Sequence, residues 1–343
     1  MIVFSIIGAL IGAGFASGQE MYLFFYRFGG WGIFGLVLCS ILIGLVVYKT
    51  FSIIYNSKQN GKEIKDYQDF LNEIFYKNRK PPKKKYLNLS YISNIIINIF
   101  LLVTFYIMIS GFGAYFEQEF GFNKFIGASI LAIACFFILI KDIKGVTKAN
   151  SVIVPVLITI IFIIGIKNLN STQLNSIQFN WNYNWIIQAV VYCSYNMILV
   201  VPILVELGEY IKSKKSITII SILSSVIVFI LAFSIFLLLT NVNTDFSKLE
   251  MPAIYAIDHA FPAFRAIYGI VILLSIFTTA ISIGISFLKN VSKDKKSFPQ
   301  FVGLMCISGV LISNIGFANL VKMLFPVFGY LGILEILCIL KKN

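Results

Sequence analysis

The sequence predicts an all-α integral membrane protein of about ten transmembrane helices, arranged as a 5+5 inverted repeat in which helices 1 and 6 are broken. Three observations support this prediction. Only 13% of the residues are charged and 58% are hydrophobic, whereas an ordinary soluble domain is about 25% charged. Apolar runs long enough to cross a bilayer recur along the whole chain. Polar or glycine-rich interruptions fall inside two of these runs, five runs apart.

Charges, Gly and Pro bound the ten apolar runs and predict one membrane domain over residues 1–343. We expect a first five-helix repeat over residues 1–166 and a second over residues 185–343. The composition excludes a cytosolic enzyme, a disordered chain and a secreted domain. The ten predicted spans are about Ile2–Tyr26, Trp31–Tyr55, Ser90–Gly113, Lys124–Ile140, Ala149–Ile166, Trp185–Glu209, Ile217–Thr240, Phe264–Leu288, Phe301–Gly316 and Asn319–Leu340.

The net charge of +13 reflects membrane orientation rather than a nucleic-acid ligand. Of the 28 Lys and Arg residues, 22 fall in one set of alternate connections and 6 in the other. Because cytoplasmic loops carry the excess of positive charge, both termini are predicted to be cytoplasmic. The basic run at 77–85 is expected to lie against anionic lipid headgroups. The five cysteines are odd in number and lack CxxC spacing, which indicates neither a disulfide framework nor a zinc site.

The first run contains the most informative segment, which extends from Gly8 to Glu20 and reads GALIGAGFASGQE. Four glycines in eleven residues weaken a helix, since each costs about 1 kcal/mol relative to Ala. At 1.5 Å per residue, Ile11 lies roughly 15 Å into the bilayer, close to its midplane. Small residues also serve close helix packing, but Ser17, Gln19 and Glu20 add nothing to such packing. The segment therefore predicts an unwound region at a functional site. The alternative for Glu20 is a position at the outer membrane interface, near Arg27.

The second weak point is the polar cluster from Tyr192 to Asn196 in the sixth run, followed by Pro202. Breaks in the first and sixth of ten spans are typical of an inverted repeat that binds its ligand between the halves. The alternative is a polar cluster satisfied between helices. Two loop segments agree with inversion: an amphipathic stretch after the second span, inside, with Ile64, Tyr67, Leu71, Ile74 and Phe75 on one face, and a short helix at Met251–Pro262 after the seventh span, outside.

The segment GAGFASGQE at Gly12–Glu20 resembles the YkvI-type bacterial membrane proteins, and the ten-span pattern more distantly resembles the amino acid–polyamine–cation superfamily with the LeuT-type fold. The first resemblance depends mainly on that nonapeptide, and the second on topology. Together they imply a secondary transporter of the bacterial cytoplasmic membrane, working by alternating access on an amino acid or a related small solute. Coupling to sodium or protons is the expectation that comes with them.

The eighth run places Ser275, Thr278 and Thr279 on one helix face, because their spacing is i, i+3, i+4. The resemblance implies a sodium ion bound by the carbonyls of Gly8 and Ile11, the carbonyl of Ser275 and the hydroxyls of Thr278 and Thr279. No other cofactor or metal is expected. The alternative is that these hydroxyls bond carbonyls of their own helix.

For the solute, the amides of the first helix after Gly14 are predicted to attract a carboxylate. The resemblance adds Tyr106 as an aromatic wall or donor, although an interhelical packing role for Tyr106 is equally open. The residues predicted to bind the solute are Gly12, Gly14, Phe15, Ser17, Glu20, Tyr106, Ser110, Tyr195 and Asn196.

No enzyme is expected, because the spans lack clustered His, Cys and carboxylate side chains. Glu335 in the tenth run is expected to face neighbouring helices, and His259 to be a loosely paired loop residue. The alternative to a transporter is a membrane sensor or structural partner with the same fold, acting through its basic loop at 62–85. The expected partners are a small solute and membrane lipids, and no nucleic acid.

Overall fold

In the computed structural model, the regular structure over the described residues is entirely helical. The structure describes residues 1–76, 82, 88–169, 179, 183–242, 244–246, 249, 251–292, 297–313 and 317–342. Within them the helices are α1 (Ile2–Leu10), α2 (Ala13–Ala16), α3 (Gln19–Phe24), α4 (Gly30–Gln59), α5 (Tyr67–Tyr76), α6 (Leu89–Phe120), α7 (Lys124–Leu139), α8 (Asp142–Leu169), α9 (Asn184–Leu207), α10 (Lys214–Thr240), α11 (Pro252–Ala260), α12 (Arg265–Val291), α13 (Phe298–Ile312) and α14 (Phe317–Lys341).

The protein is a multi-pass membrane protein. Among the described residues, seven helices (α4, α6, α8, α9, α10, α12 and α14) are long and apolar enough to cross a bilayer, and α7 and α13 are shorter apolar helices. Along α4, Phe34, Val37, Ile41 and Leu45 are each at least 39% exposed at a spacing of three or four residues. Such a stripe is unfavourable in water and is expected of a face that contacts lipid.

The first predicted span is interrupted as expected, and three short helices (α1, α2 and α3) replace one long one. Some predicted bounds are shifted outward, at α6 and α8, whereas α7, α9 and α13 end before the predicted residues. Helix α6 continues seven residues beyond its predicted end at Gly113. It ends at Phe120 because Gly121 adopts a left-handed conformation with φ of 67°. Helix α8 begins at Asp142 rather than at Ala149. The predicted basic run at 77–85 lies outside the described residues, except for position 82.

The predicted break in helix 6 is wrong, because α9 is continuous from Asn184 to Leu207. Two of the polar side chains that suggested a break bond their own helix instead. The Ser194 hydroxyl donates to the Val190 carbonyl over 2.8 Å, and the Asn196 amide donates to the Tyr192 carbonyl over 3.0 Å. This back-bonding satisfies the side chains without unwinding the backbone. Pro202 also lies inside the helix.

Helix α9 lies at the centre of the molecule. Its apolar window is 89% buried, against 33% for α8 and α14. Helices α4 and α14 pack against it, and α4 also packs against α10. A second group forms around α6, which packs against α7, α12 and α13. Helix α1 contacts the first group through α9 and α10 and the second through α12, so the interrupted helix lies between them. It also contacts α8, which itself packs against both α10 and α12.

The two predicted loop helices are present. Helix α5 buries Tyr67, Leu71 and Ile74 and leaves Phe75 half-buried, in agreement with its amphipathic pattern. Ile64, which was predicted to share this face, precedes the helix and is half-buried. Helix α11 begins at Pro252, which suits the first turn of a helix because Pro has no amide to leave unpaired. It packs against α3, α10 and α12, on the side of the molecule where α3 follows the break.

Candidate functional site

The helical hydrogen-bond pattern stops at Ile11 and Gly12. Ile11 has ψ of 77° and Gly12 has ψ of −170°, neither of which is helical. The Gly12 amide donates to the Leu10 carbonyl over 3.1 Å, and helical bonding resumes when the Ala16 amide donates to the Gly12 carbonyl over 2.9 Å. Main-chain carbonyls at the end of α1 are thereby released from their usual helical partners.

Helix α12 approaches the released carbonyls with the residue that the sequence predicted. The Thr279 hydroxyl lies 2.9 Å from the Gly8 carbonyl oxygen and 3.0 Å from the Ile11 carbonyl oxygen. The Thr279 hydroxyl therefore connects α12 to the released carbonyls of the first span by hydrogen bonds. A Cβ on Gly12 would stand 3.2 Å from the Thr279 methyl group, so the close approach of these helices depends on glycine there.

Thr278 and Ser275 take different positions from Thr279. The Thr278 hydroxyl donates to the Ser275 carbonyl over 3.1 Å, within the same helix, as the alternative interpretation allowed. The Ser275 hydroxyl is buried and has no hydrogen-bond partner among the described residues. Buried polar groups are normally satisfied. This unpartnered hydroxyl, one helical turn from Thr279, fits a site that accepts a further polar ligand.

Asn150 on α8 also belongs to this region, although it was not among the predicted site residues. It is fully buried, its amide nitrogen donates to the Ser282 hydroxyl over 2.8 Å, and its Oδ1 has no partner among the described residues. A Cβ on Gly8 would stand 3.0 Å from the Asn150 side chain. The sequence signal for Asn150 was an amide side chain near the start of an apolar run, but nothing in the sequence indicated that this side chain faces Gly8.

The other side of the break is lined by acidic and aromatic side chains. Glu20 is only 3% exposed and lies beside the phenols of Tyr192 and Tyr195. The Tyr195 ring stacks on Phe325 with centroids 4.8 Å apart, and Phe24 lies 5.6 Å away. Glu20 Oε2 and the Tyr195 hydroxyl are both buried without a hydrogen-bond partner among the described residues. Glu20 is therefore inside the protein and not at the interface beside Arg27.

The carboxylate nearest the start of α2 is the protein's own. A Cβ added to Gly14 would collide with Glu20 Oε1, so the Glu20 side chain folds back over the Gly14 backbone. At the position where a solute carboxylate was predicted to bind, the structure places the protein's own Glu20 side chain. Phe15 is 1% exposed, and the Ser17 hydroxyl donates to the Gly14 carbonyl over 3.3 Å. Both residues belong to the wall of the break.

Tyr106 and Ser110 hydrogen-bond α13. The Tyr106 hydroxyl lies 2.8 Å from the Ser308 hydroxyl, and the Ser110 hydroxyl donates to the Ser313 carbonyl over 3.1 Å. The face of α6 that approaches the break carries Met108 and Gly111 instead, which lie near Gly12 and Ala13 respectively. The interhelical role left open for Tyr106 is therefore the one observed, because α6 is rotated away from the predicted orientation.

Helix α11 and the segment before it cover the break on the side of α3. The Ala253 amide donates to the Ser17 carbonyl over 2.8 Å, and the Gln19 side chain donates to the Leu249 carbonyl. Gly18 has φ of 80°, and a Cβ there would stand 3.1 Å from the Ala253 amide nitrogen. From α12, the Tyr268 hydroxyl donates to the Ala16 carbonyl over 2.7 Å. These bonds close the site on this side.

The remaining predicted residues are placed away from the break. Asn196 bonds its own helix. Glu335 accepts a hydrogen bond of 2.7 Å from the Tyr67 hydroxyl, so it faces α5 as expected. His259 contacts the Tyr255 carbonyl over 3.1 Å, one turn back in α11, while Asp258 pairs with Arg265.

Comparison with known proteins gives relatives without an assigned activity. No family model matches the chain. The chain is 27% identical to a protein described as uncharacterized membrane protein YkvI of Bacillus subtilis, over 100% of this chain and 95% of that protein. It is 26% identical to a protein described as uncharacterized protein YyaD of the same organism, over 98% of this chain and 94% of the relative. The similarity therefore extends along the whole chain.

Proposed function

We propose that this protein is a secondary active transporter that carries a small solute, an amino acid or a related compound, by alternating access. The observation that carries the proposal is the interrupted α1, where the carbonyls of Gly8 and Ile11 meet the Thr279 hydroxyl within 3.0 Å. Backbone that leaves helical pairing inside a membrane protein is tolerated only where it is buried in protein or lines a cavity. Transporters use such interruptions to bind solute and ion.

Coupling to a sodium ion is supported by the chemistry of the oxygen atoms on this face. Carbonyl and hydroxyl oxygens suit hard cations, and Gly8, Ile11 and Thr279 supply three of them in one place. The unpartnered Ser275 hydroxyl and Asn150 Oδ1 supply further oxygens nearby. In this proposal the sodium ion adds a positive charge between α1 and α12. It is held by Gly8, Ile11, Ser275, Thr278 and Thr279.

The arrangement of the helices supports a rocking motion. In the proposal, α1–α3 move with α4, α9 and α10 against α6, α7 and α12. Helix α4 packs against α9 and α10, α6 packs against α7 and α12, and the interrupted segment contacts both groups, since α1 packs against α9 and α10 and α2 packs against α12 and α6. The ten-span, 5+5 inverted arrangement of the proposal counts α1–α3 as the first span and includes the short α7 and α13. Helices α5 and α11, each after the second span of its half, then occupy equivalent places on opposite sides. The site lies between the two groups, so relative movement opens it to either side.

The experiment is uptake into proteoliposomes of a panel of labelled amino acids and amines, under imposed sodium or proton gradients. We expect gradient-dependent uptake of at least one compound, and none with protein-free liposomes. Glu20→Gln separates the two ions, because a proton-coupled mechanism that uses this buried carboxylate loses its pH dependence while a sodium-coupled one keeps its sodium dependence. A compound that stabilises the protein without any uptake across the panel contradicts transport and favours a sensor.

A further inference from the structure

A second candidate binding site lies at the end of the molecule where α4 ends and α5 and the last residues of α14 meet. It is a cavity of about 360 Å³, which is within the usual range for a small-ligand pocket. Its polar lining consists chiefly of Tyr48, Lys49, Tyr55, Asn56, Lys214 and Lys342. The cavity is separate from the break in α1, and no residue of the proposed solute or cation site lines it.

The charge in this cavity is unbalanced. Three lysines line it, and Glu73 is the carboxylate that lines it with them. Glu73 is already paired, because Lys342 Nζ lies 2.7 Å from its Oε1 and Lys62 bonds its Oε2. Lys49 donates to the Lys342 carbonyl over 3.1 Å. Neither Lys49 nor Lys214 has a carboxylate partner within the part of the chain that the structure describes.

The position of Lys214 adds to this imbalance. It is the first residue of α10, where the helix macrodipole is positive and a lysine is unfavourable. Lys49 is half-buried in the side of α4, where an ammonium without a counter-charge is costly. An anion between these two groups removes both penalties. The hydroxyls of Tyr48 and Tyr55 and the amide of Asn56 supply neutral donors around it.

We propose that this cavity binds the phosphate group of an anionic ligand. Lysine ammonium groups bind phosphate as point charges, and two of them match a phosphate that bears one or two negative charges. The same chemistry is available from an anionic lipid headgroup and from a soluble phosphate compound. Tyrosines and lysines of this kind are also typical of a helix end at the membrane interface.

The test measures the melting temperature of the full-length protein with two probes. In nanodiscs, phosphatidylglycerol is compared with phosphatidylcholine; in detergent, glycerol 3-phosphate is titrated. The variant carries Lys49→Gln with Lys214→Gln. The matched control carries Lys212→Gln with Lys215→Gln, which removes the same charge from exposed lysines of the same segment that do not line the cavity.

We expect one probe to stabilise the wild type, and its affinity to fall on the order of fivefold for each cavity lysine removed and about 25-fold for both. The control pair should bind like the wild type. Stabilisation by phosphatidylglycerol alone identifies a lipid headgroup, and stabilisation by glycerol 3-phosphate identifies a soluble ligand. The proposal is overturned if the control pair loses as much affinity for the probe as the cavity pair does, or if neither probe stabilises the wild type. If the double variant does not fold, Lys214→Gln alone, at an exposed position, gives the same comparison.

Discussion

Thr279 is the residue whose side chain joins the two halves of the proposed cation site. Its hydroxyl reaches the carbonyls of both Gly8 and Ile11, whereas the hydroxyl of its neighbour Thr278 bonds within α12. The two threonines were equivalent in the sequence prediction. In the structure the Thr279 hydroxyl bonds carbonyls of the first span and the Thr278 hydroxyl bonds its own helix, so mutation of Thr279 is the more informative test.

We expect Thr279→Val to abolish stabilisation by sodium, because valine keeps the shape of threonine and removes the oxygen. At a sodium concentration ten times the dissociation constant, the wild type gains about 1.4 kcal/mol. The measurement is the melting temperature in sodium and in potassium buffers at equal ionic strength. Thr279→Ser keeps the hydroxyl and should keep the sodium effect.

Ser286→Ala is the matched control for Thr279→Val. Its hydroxyl lies on the same helix and donates to the Ser282 carbonyl, within that helix, over 3.1 Å. We expect this variant to keep the full sodium effect. A sodium shift in Thr279→Val as large as that of the wild type would remove Thr279 from the cation site.

Residue by residue, the sequence was most informative where the signal is local. Glycines at Gly8, Gly12 and Gly14 weaken a helix wherever it packs, so the break in the first span was predictable. The orientation of Tyr106 was not, because the rotation of α6 about its own axis is determined by its contacts with α13. The same applies to Asn150, whose approach to Gly8 depends on the packing of α8 against α1.

At the scale of elements, comparison of the interrupted first span (α1–α3) with α9 shows that a polar cluster alone does not determine whether a span is broken. Both spans contain polar groups near mid-depth, but only the first, which comprises α1–α3, also contains glycines close together. In α9, Ser194 and Asn196 bond carbonyls one turn back and leave the helix intact. A polar residue alone is therefore compatible with a continuous helix, and the sequence could not show which solution α9 adopts.

Gly18 connects the break to α11, and its substitution tests that contact. We expect Gly18→Ala to lower the melting temperature more than Gly61→Ala does. Both glycines have positive φ, 80° and 73°, so both variants incur backbone strain of about 1–2 kcal/mol. Only at Gly18 does the added methyl group also press on the Ala253 backbone, 3.1 Å away, while Gly61 has open space. Equal losses would show that α11 does not press on the break.

Helix α5 is held against the last residues of α14 by an ion cluster that should respond to pH. Burial raises the pKa of Glu73, but its hydrogen bonds and charge pairs with Lys342 and Lys62 outweigh this effect and hold the pKa below its usual 4.5. A carboxyl with a lowered folded-state pKa stabilises the protein above its unfolded pKa, and this stabilisation is lost as the pH falls through the folded value.

We therefore expect the wild type to melt at a higher temperature than Glu73→Gln at pH 7, and this advantage to shrink as the pH falls below about 4.5. Melting curves between pH 7 and pH 3 measure it. Glu63→Gln is the control, since Glu63 is an exposed carboxylate of the preceding loop and should give little difference at any pH. A pH-independent effect of Glu73→Gln would contradict the ion-cluster explanation.

At the scale of the whole molecule, composition and periodicity were sufficient to predict an all-helical, multi-pass membrane protein. In the described part of the chain, seven of the predicted spans coincide, apart from their ends, with helices long enough to cross a bilayer, while the first is replaced by three short helices and the fourth and ninth by the shorter α7 and α13. The sequence carried less information about which helices meet, because apolar faces that pack on each other and apolar faces that contact lipid have the same composition. The central position of α9 is an example: its hydropathy does not exceed that of α4 or α10.

The distribution of charge predicts the orientation of the chain. With 22 of the 28 basic residues on one side, we expect a fluorescent reporter fused after residue 343 to be active in the cytoplasm. An alkaline phosphatase fused at the same place, which needs an oxidising compartment, should be inactive. A fusion in the loop that follows α7 tests the same side, and one before α7 tests the other. The reverse pattern of activities would contradict the predicted topology.

The hydrogen bonds between the break and the α11 segment have a consequence for inhibitors. The Ser17 carbonyl and the Gln19 side chain are tied to Ala253 and Leu249, which precede or begin α11. A molecule that enters the break from that face must first break these two hydrogen bonds. An antibody fragment raised against the α11 loop should keep these hydrogen bonds in place without contacting the proposed solute-binding residues. In the proposed transport mechanism, it would block uptake without competing with the solute.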